Sequence, residues 1–275
     1  MRSVKSLVVA GAASLLSSVA FAADMPIAGP PMYAPPVVEE FGGWYLRGDI
    51  GMTNQHLKQL NNPGDPNAAL FTSTGMGFDS AALFDIGVGY QFNNWFRADV
   101  TGEYRGNSQF FGTDHITYVG GVGTDTYHAT KNEWVVLANA YVDLGTWWCI
   151  TPFIGAGVGG ARVSINNFTD QGIANNGAGA LPGLAFGDNV SKWNLAWALH
   201  AGVAYKVTPN FTVELAYRYL DMGDGLTGDL RTFDGTNNVN NPMTFKSITS
   251  HDLKLGVRWN LESPPVYQAP LIRKG

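Results

Sequence analysis

One histidine has a neighbour with which it could carry out hydrolysis. His251 follows Ser250 at the start of a strongly alternating segment, so it could serve as a base for a hydroxyl nucleophile. No spacing of a carboxylate and a serine elsewhere in the chain completes a catalytic triad. The simpler interpretation is a histidine at the end of a strand, and the sequence predicts that the protein is not an enzyme.

Sites for metals or phosphates have weak support. His56, His115 and His128 lie among Asn, Gly and Asp in predicted loops, where two could chelate a metal only if separate loops meet. DMGDGLTGD at 221–229 is spaced loosely like a calcium loop but lacks the terminal Glu of an EF-hand. GAGVGG at 155–160 matches a dinucleotide-binding pattern, yet no helical period follows it. We therefore expect no cofactor and no metal.

The start of the chain is typical of a secretory signal. Arg2 and Lys5 precede an apolar run that closes on Ala-Phe-Ala at 20–22, the small-x-small pattern cut by signal peptidase. A single membrane anchor is the alternative, but the run is short, interrupted by serines and followed by Pro-rich sequence. Residues 1–22 are predicted to be removed, so that the mature chain starts at Ala23.

Composition excludes several classes of protein. Two of the 17 Lys and Arg residues lie in the leader, which leaves 15 against 22 acidic residues and gives no reason to expect a nucleic-acid partner. Cys149 is the only cysteine, so neither an internal disulfide nor a Cys cluster can form, and we interpret it as an inert thiol in a turn. No later apolar run approaches the roughly 18 residues of a membrane helix. With 34 Gly, 15 Phe, 11 Tyr and 8 Trp, a β protein with much apolar surface is indicated.

Eight segments alternate with a period of two residues. In FRADVTGEYR, residues 96–105, Phe96 and its phase are apolar and Arg97 and its phase are strongly polar. The length of the segments suits tilted membrane strands. They lie at about 43–53, 81–92, 95–105, 132–144, 151–162, 192–206, 210–220 and 249–261.

The two phases differ sharply in charge. We find no Asp, Glu, Lys or Arg in the apolar phase of any segment. The other phase holds seven basic and seven acidic residues, a balance expected if the charges are buried, because an unpaired buried ion costs several kcal/mol. These residues are Arg47, Asp49, Asp85, Arg97, Asp99, Glu103, Arg105, Asp143, Lys206, Glu214, Arg218, Asp252, Lys254 and Arg258.

Short and long connections alternate strictly between the segments, which places all long connections at one end of an up-and-down sheet. A soluble lipocalin-like barrel would put the apolar phase inside, and Trp and Tyr at the strand ends favour the membrane alternative. The prediction is an all-β fold, an eight-stranded antiparallel up-and-down transmembrane β-barrel with short periplasmic turns and four long extracellular loops. The charged phase then faces the lumen, and His251 lies at the rim, level with lipid headgroups.

Four stretches carry a resemblance to a known family. They are GGWYLRGDIG, TPFIGAGVGGARV, FTVELAYRYLDMG and SHDLKLGVRWNL. With an Ala-Asp-Met-Pro start, they resemble the small eight-stranded outer-membrane proteins of Gram-negative bacteria, the outer-membrane immunogenic, opacity-like and OmpA-type barrels. The resemblance implies an integral outer-membrane location, contact with outer-membrane lipids and lipopolysaccharide, and insertion by the barrel assembly machinery. The final strand is followed by a tail, where many such barrels end on an aromatic residue.

An eight-stranded barrel is just filled by side chains, so we expect the lumen charges to plug it, as a structural or a gating network. Lumen-phase glycines such as Gly89, Gly155 and Gly256 would leave room for opposite Arg and Tyr side chains. The function expected is a structural, envelope-integrity and surface-contact role. A narrow small-solute channel and a loop-borne adhesin or haem-binding surface are the alternatives.

The chain is divided into residues 1–22 as signal, 23–42 as a Pro-rich periplasmic segment, 43–261 as the barrel and 262–275 as a Pro-rich periplasmic tail. PPMYAPP at 30–36 and PPVYQAP at 264–270 favour an extended polyproline II spacer. In proteins that this chain resembles, some mature chains beginning Ala-Asp are joined to peptidoglycan. Ala23 is therefore a candidate attachment point, and a simple soluble spacer is the alternative.

Overall fold

The computed structural model describes residues 42–61, 68–237 and 240–261, and these residues form strands, turns and short connections. The predicted signal, residues 23–41 of the first Pro-rich segment with Ala23, and the Pro-rich tail at 262–275 lie outside the described residues. No helix among the described residues is long and apolar enough to cross a membrane. The strands are β1 (Gly43–Asn61), β2 (Ala68–Phe78), β3 (Ala81–Gln91), β4 (Phe96–Tyr118), β5 (Gly121–Asp143), β6 (Ile150–Asn175), β7 (Ala180–Gly187), β8 (Val190–Lys206), β9 (Phe211–Asp221), β10 (Gly225–Leu226), β11 (Leu230–Thr232) and β12 (Thr244–Asn260).

Eight of these strands close into an antiparallel ring in the order β1, β3, β4, β5, β6, β8, β9, β12 and back to β1. The strands are staggered. From Gly51, the register leads through β12, β9 and β8 to Phe153 on β6, and through β3, β4 and β5 to Val163, ten positions further along. Such a stagger requires tilted strands and is the geometry of a closed barrel. The predicted all-β, eight-stranded barrel is confirmed.

The ring has two unlike ends. At the short-turn end, residues 92–95, 144–149 and 207–210 join consecutive strands. At the opposite, extended end, β4 and β5 each run for 23 residues and β6 for 26, whereas β3 and β9 have 11. β2, β7 and β10 pair with ring strands at that end, and β11 pairs with β7.

The structure corrects the prediction for the second long connection. Residues 106–131, predicted as an extracellular loop, continue β4 and β5 up to a tight turn at 119–120. A β-bulge between Arg105 and Ser108 shifts the alternation by one residue, so the inward residues after it are even-numbered. The same happens on β6 near Asn167, whose φ is 51°. His56, His115 and His128 therefore lie on strands and not in loops.

The turn between β5 and β6 has an unusual backbone. Trp147 and Ile150 exchange two backbone hydrogen bonds of 2.9 Å, which closes a two-residue hairpin. The residues between them, Trp148 and Cys149, both have positive φ, 49° and 68°. Turns of this kind favour Asn and Gly because side chains are strained there. Cys149 is exposed in this turn, in agreement with its predicted place.

Toward the short-turn end, the ring strands turn an apolar face outward. The charged residues of the inward face come from β1, β3, β4, β5, β9 and β12, whereas the inward residues of β6 and β8 are mostly small or apolar. Phe84, Ile86 and Leu195 are among the large apolar residues exposed outward, whereas Arg97 and Arg105 are completely buried. One expectation is wrong. The apolar phase of the segment 151–162 ends in a charged residue, since Arg162 is exposed and follows Ile154, Ala156 and Val158 on the outward face.

Candidate functional site in the barrel lumen

All thirteen charges proposed for the lumen are buried. Lys206, which completes the charged phase in the sequence, is instead exposed at the short-turn end. Because charges this deeply buried must be compensated, their pairing decides what the lumen can do. The thirteen are Arg47, Asp49, Asp85, Arg97, Asp99, Glu103, Arg105, Asp143, Glu214, Arg218, Asp252, Lys254 and Arg258.

Arg47 links three carboxylates across the part of the lumen nearer the short-turn end. Its guanidinium lies 2.9 Å from both Asp49 and Asp99 and 3.6 Å from Glu214. It also donates to the Tyr141 hydroxyl at 3.0 Å. These partners belong to β1, β4, β9 and β5, so a single side chain connects strands around the ring.

Arg97 and Arg258 fill the space nearest the short-turn end. Arg97 pairs with Asp143 at 3.2 Å and with Glu214 at 3.4 Å. Its guanidinium carbon lies 4.3 Å from the ring centre of Tyr141 and 4.7 Å from that of Phe153, which are cation–π distances. Arg258 approaches Glu214 at 3.5 Å. Aromatic faces therefore complete the desolvated surroundings of these cations.

Glu103 and Asp252 form the centre of the network with two arginines. Arg218 lies 2.6 Å from Glu103 and 2.7 Å from Asp252, and Arg105 lies 2.7 Å from Asp252. Lys254 connects this centre to the carboxylates nearer the short-turn end, with its Nζ 2.5 Å from Asp85 and 2.8 Å from Asp49. The pairs form one connected system in which each ion has more than one partner or shares a partner with another.

Several buried polar residues of this network were not identified from the sequence. Lys131 and Glu133 are both completely buried and pair with each other, and Lys131 donates to Gln55. Glu133 lies within a predicted segment and on the phase of Asp143, so the alternation was a signal for it. Asn139, which donates to Asp99 at 2.8 Å, is on the same phase but carries no charge to mark it.

Glycines make room for these side chains, as predicted. A Cβ at Gly89 would overlap the ring of Tyr45, and a Cβ at Gly155 would overlap the ring of Tyr141. A Cβ at Gly256 would collide with the Asp49 carboxylate. The network therefore depends on small residues on the strands that face its long ones.

A second layer of side chains, which we call the apolar layer, closes the lumen toward the extended end. Phe110, Phe168 and Phe245 are at most 1% exposed, with ring centres 4.9 Å apart for Phe110 and Phe245 and 6.2 Å for Phe168 and Phe245. This layer was not predicted, because most of it comes from residues assigned to loops. It comprises Leu60, Phe78, Phe110, Tyr127, Ile165, Phe168, Met222, Met243, Phe245 and Ile248.

Three carboxylates and a tyrosine lie at the edge of the apolar layer in the extension. Asp114 and Asp125 are register partners on β4 and β5, and Asp170 is the register partner of Tyr127. Burial, with the carboxylates of Asp125 and Asp114, raises the pKa of Asp170 to about 7. Burial and the same acidic surroundings raise the pKa of the Tyr127 hydroxyl. At neutral pH, Asp170 is therefore poised between its two protonation states.

The other candidates from the sequence do not assemble. Ser250 is buried in the lumen and contacts Arg105 at 2.8 Å, whereas His251 is exposed on the outward face. Successive strand residues point to opposite faces, so the two cannot act together. His251 instead contacts the Tyr217 hydroxyl at 2.5 Å. GAGVGG lies within strand β6, and among the described residues no group of three His, Cys, Asp or Glu could hold a metal ion.

Comparisons with known proteins agree with this architecture. The sequence model of the family described as "Outer membrane protein beta-barrel domain" matches residues 9–260. An uncharacterized protein of Brucella abortus (strain 2308) is 32% identical over 228 residues, which cover 76% of this chain and 78% of that protein. A Rickettsia felis protein named "Putative adhesin" is 27% identical over 258 residues, 93% of this chain and 98% of its own.

Among solved structures, the chain is similar to neisserial surface protein A, with 17% identity, a TM-score of 0.40 and coverage of 81% of this chain and 100% of that one. It is also similar to the outer membrane protein OprG from Pseudomonas aeruginosa, with 13% identity, a TM-score of 0.42 and coverage of 80% and 97%.

Proposed function

Because the chain belongs to the family of outer-membrane β-barrel domains and is therefore an integral outer-membrane protein, we propose that it is a non-conducting structural and surface-contact component of the cell envelope. The observation that carries this proposal is the double closure of the lumen. An ion would have to cross the paired charges and then the apolar layer. No catalytic role is part of the proposal, because Ser250 and His251 lie on opposite faces.

The proposed orientation places the extended end outside the cell and the short-turn end in the periplasm. β1 starts and β12 ends at the same end of the barrel, where Tyr45 and Asn260 are register partners. Short periplasmic turns and longer extracellular connections are the usual arrangement in such barrels. Both termini would then be periplasmic, and insertion would use the barrel assembly machinery.

Planar-bilayer recordings test the absence of conduction. We expect no steady current from the purified, folded barrel, because buried, paired charges fill one part of the lumen and buried apolar side chains fill the next. A narrow channel is the competing function, and it would give reproducible small unitary currents. Such currents from the wild type would contradict the proposal, and binding of partners by the extended end would be unaffected by that result.

Surface adhesion is the second candidate, and the extension of β4, β5 and β6 favours it. This extension exposes apolar side chains, with Val122 57% and Ile173 54% exposed, beside a groove of about 410 Å³ that His115 also lines. The relative named "Putative adhesin" covers almost the whole chain. A haem-binding surface at the same end is a weaker alternative.

Adhesion can be measured with cells that produce the wild type or a variant in which residues 109–128 are replaced by a short turn. Immobilised fibronectin and laminin are suitable probes, and haemin binding can be titrated in parallel. The shortened variant should lose retention on the surface while keeping its heat-dependent gel mobility. Equal retention of both proteins would contradict a role of the extension in adhesion.

Attachment to peptidoglycan through Ala23 remains a proposal, because this residue lies outside the described part of the chain. It is supported by the Ala-Asp start of the mature sequence and by a Pro-rich spacer that could reach about 60 Å if fully extended. Muramidase digestion of purified cell walls, followed by mass spectrometry, should reveal a peptide that starts at Ala23 and carries a muropeptide. Recovery of only the free Ala23 amine would refute the tether.

A further inference from the structure

Three rows of residues cross the outward face of β5, β6 and β8, and their polarity changes from row to row. Each row takes one residue from each strand, and the residues are paired by the register. An apolar row is followed, toward the extended end, by a row of Trp, Arg and Trp, and then by a row of Asn, Ser and Ser. The rows are Val136–Gly160–Leu195, Trp134–Arg162–Trp193 and Asn132–Ser164–Ser191.

This gradient locates the membrane boundary on the barrel wall. Trp134 is 51% and Trp193 61% exposed, and indole rings prefer the depth of the lipid headgroups. Tyr104 packs against Trp134 with ring centres 4.9 Å apart and continues the aromatic belt. Arg162 therefore lies at headgroup depth, between two tryptophans.

Arg162 has N–H donors that are available for a further hydrogen-bond acceptor. Its Nη2 donates to the Ser191 hydroxyl at 3.3 Å, and Ser191 and Ser164 share a hydrogen bond of 2.8 Å. No salt bridge joins Arg162 to a carboxylate among the residues that the structure describes. Each buried arginine of the lumen, by contrast, has at least one carboxylate partner. The outward-facing Arg162 can therefore pair with an anion from outside the chain.

We propose that Arg162, with the hydrogen-bonded Ser191 beside it, binds the phosphate of an anionic membrane-lipid headgroup. A guanidinium presents planar N–H donors in a fork that matches two phosphate oxygens. The exposed Ser191 hydroxyl supplies a further donor for a phosphate or sugar oxygen. In the proposed orientation this leaflet is the outer one, so the ligand class is a phosphorylated glycolipid such as lipid A. The inference rests on that orientation only for the choice of leaflet.

Native mass spectrometry of the detergent-purified barrel tests the proposal. Diphosphoryl lipid A is titrated against the wild type, Arg162→Gln and Arg162→Lys. Dephosphorylated lipid A is the control ligand that lacks the phosphates. Arg231→Gln is the control variant, since Arg231 is also exposed but pairs with Asp188 at 3.0 Å. Loss of a charge-assisted bidentate contact should weaken lipid A binding by about tenfold or more in Arg162→Gln. Arg162→Lys should bind with intermediate affinity, and the control should match the wild type.

Three results would overturn this site. The first is equal binding of lipid A by the wild type and Arg162→Gln, and the second is equal binding of phosphorylated and dephosphorylated lipid by the wild type. The third is displacement of the lipid by inorganic phosphate at comparable concentration, which would indicate a free-anion site. Heat-dependent gel mobility shows whether each variant is folded. None of these results depends on conductance. The lipid-binding proposal and the non-conducting proposal can therefore fail independently of each other.

Discussion

The half of the lumen nearer the short-turn end and the half nearer the extended end are equally well buried, but the first is filled by charged side chains and the second by apolar ones. In the charged layer, Arg218 lies between Glu103 and Asp252, and removing any one of the three takes a partner away from more than one other buried charge. In the apolar layer, Phe245 packs against Phe110 and Phe168, and removing one ring leaves only a cavity. The charged layer is therefore a connected system, whereas the apolar layer is made of individually replaceable contacts.

Lys131 marks the border between the two layers. Its ammonium pairs with Glu133 below and lies 4.4 Å from the ring centre of Phe78 above. The bulge after Arg105 lies near the same border and turns a new set of side chains inward. A small change in strand phase thus separates a polar plug from an apolar one within continuous strands.

The largest expected effect is the loss of one ion from the centre of the charged layer. Glu103→Ala removes one of the two carboxylate partners of Arg218 and part of the compensation of Arg105 and Lys254, and should lower the free energy of unfolding by about 3 to 5 kcal/mol. Urea titration of the folded barrel in detergent measures it. Asp188→Ala, which breaks the exposed pair with Arg231, should cost less than about 1 kcal/mol. Equal effects of the two substitutions would show that the network is not coupled.

A truncation in the apolar layer should cost somewhat less. Ile248→Ala creates a cavity at a fully buried position and should reduce stability by about 3 kcal/mol. Val257→Ala on the outward face is the control, because detergent or lipid can fill the space that it leaves. If the outward substitution were the more damaging one, the interior of the extended end would not be packed as described.

The acidic group at the edge of the apolar layer should make stability depend on pH. Because the pKa of Asp170 is raised to about 7, the folded state holds a proton that the unfolded state has lost between about pH 4 and 7. Stability contributed by this proton is present below pH 4 and is lost as the pH rises through 7. Asp170→Asn should therefore stabilise the barrel by roughly 2 kcal/mol at pH 8 and have little effect at pH 4.

Denaturation of the wild type and Asp170→Asn at the two pH values measures this effect. Asp79→Asn, at an exposed carboxylate, should behave alike at both. A gain that is the same at pH 4 and pH 8 would rule out titration of Asp170 as its cause.

The smallest effect is expected far from both layers, in the strained hairpin turn. Cys149→Gly relieves a positive φ of 68° and should stabilise the barrel by about 1 kcal/mol. Thr208→Gly, in another short turn, provides the comparison, since Thr208 is not among the residues with positive φ. A loss of stability in Cys149→Gly would mean that the side chain makes a contact that outweighs the strain.

The charged layer could be predicted from the sequence and the apolar layer could not. Arg97, Asp99, Glu103 and Arg105 alternate with apolar residues, so their common face was evident. Beyond Arg105 the bulge reverses the phase, and a search for strict alternation ends there. The strand continues because β5 pairs with it, which is a long-range contact that no local pattern encodes.

The sequence also shows that the charges balance, but it does not show which charges pair. Seven basic and seven acidic residues on one phase implied pairing, but which ions meet depends on the stagger of the ring. Arg105 and Asp252, 147 residues apart, are an example. Arg162 is harder to recognise in the sequence, because it stands at the end of its segment, after an apolar centre.

Single-channel conductance of layer variants tests most directly the claim that two layers close the lumen independently. Glu103→Ala, the pair Phe110→Ala and Phe245→Ala, and the combination of all three are reconstituted in planar bilayers after folding is verified by heat-dependent gel mobility. We predict no steady current from the wild type or from either layer variant alone, because the intact layer still blocks the path. Only the combined variant should conduct. Steady current from Glu103→Ala alone would contradict the account, since it would make the charged layer the sole barrier.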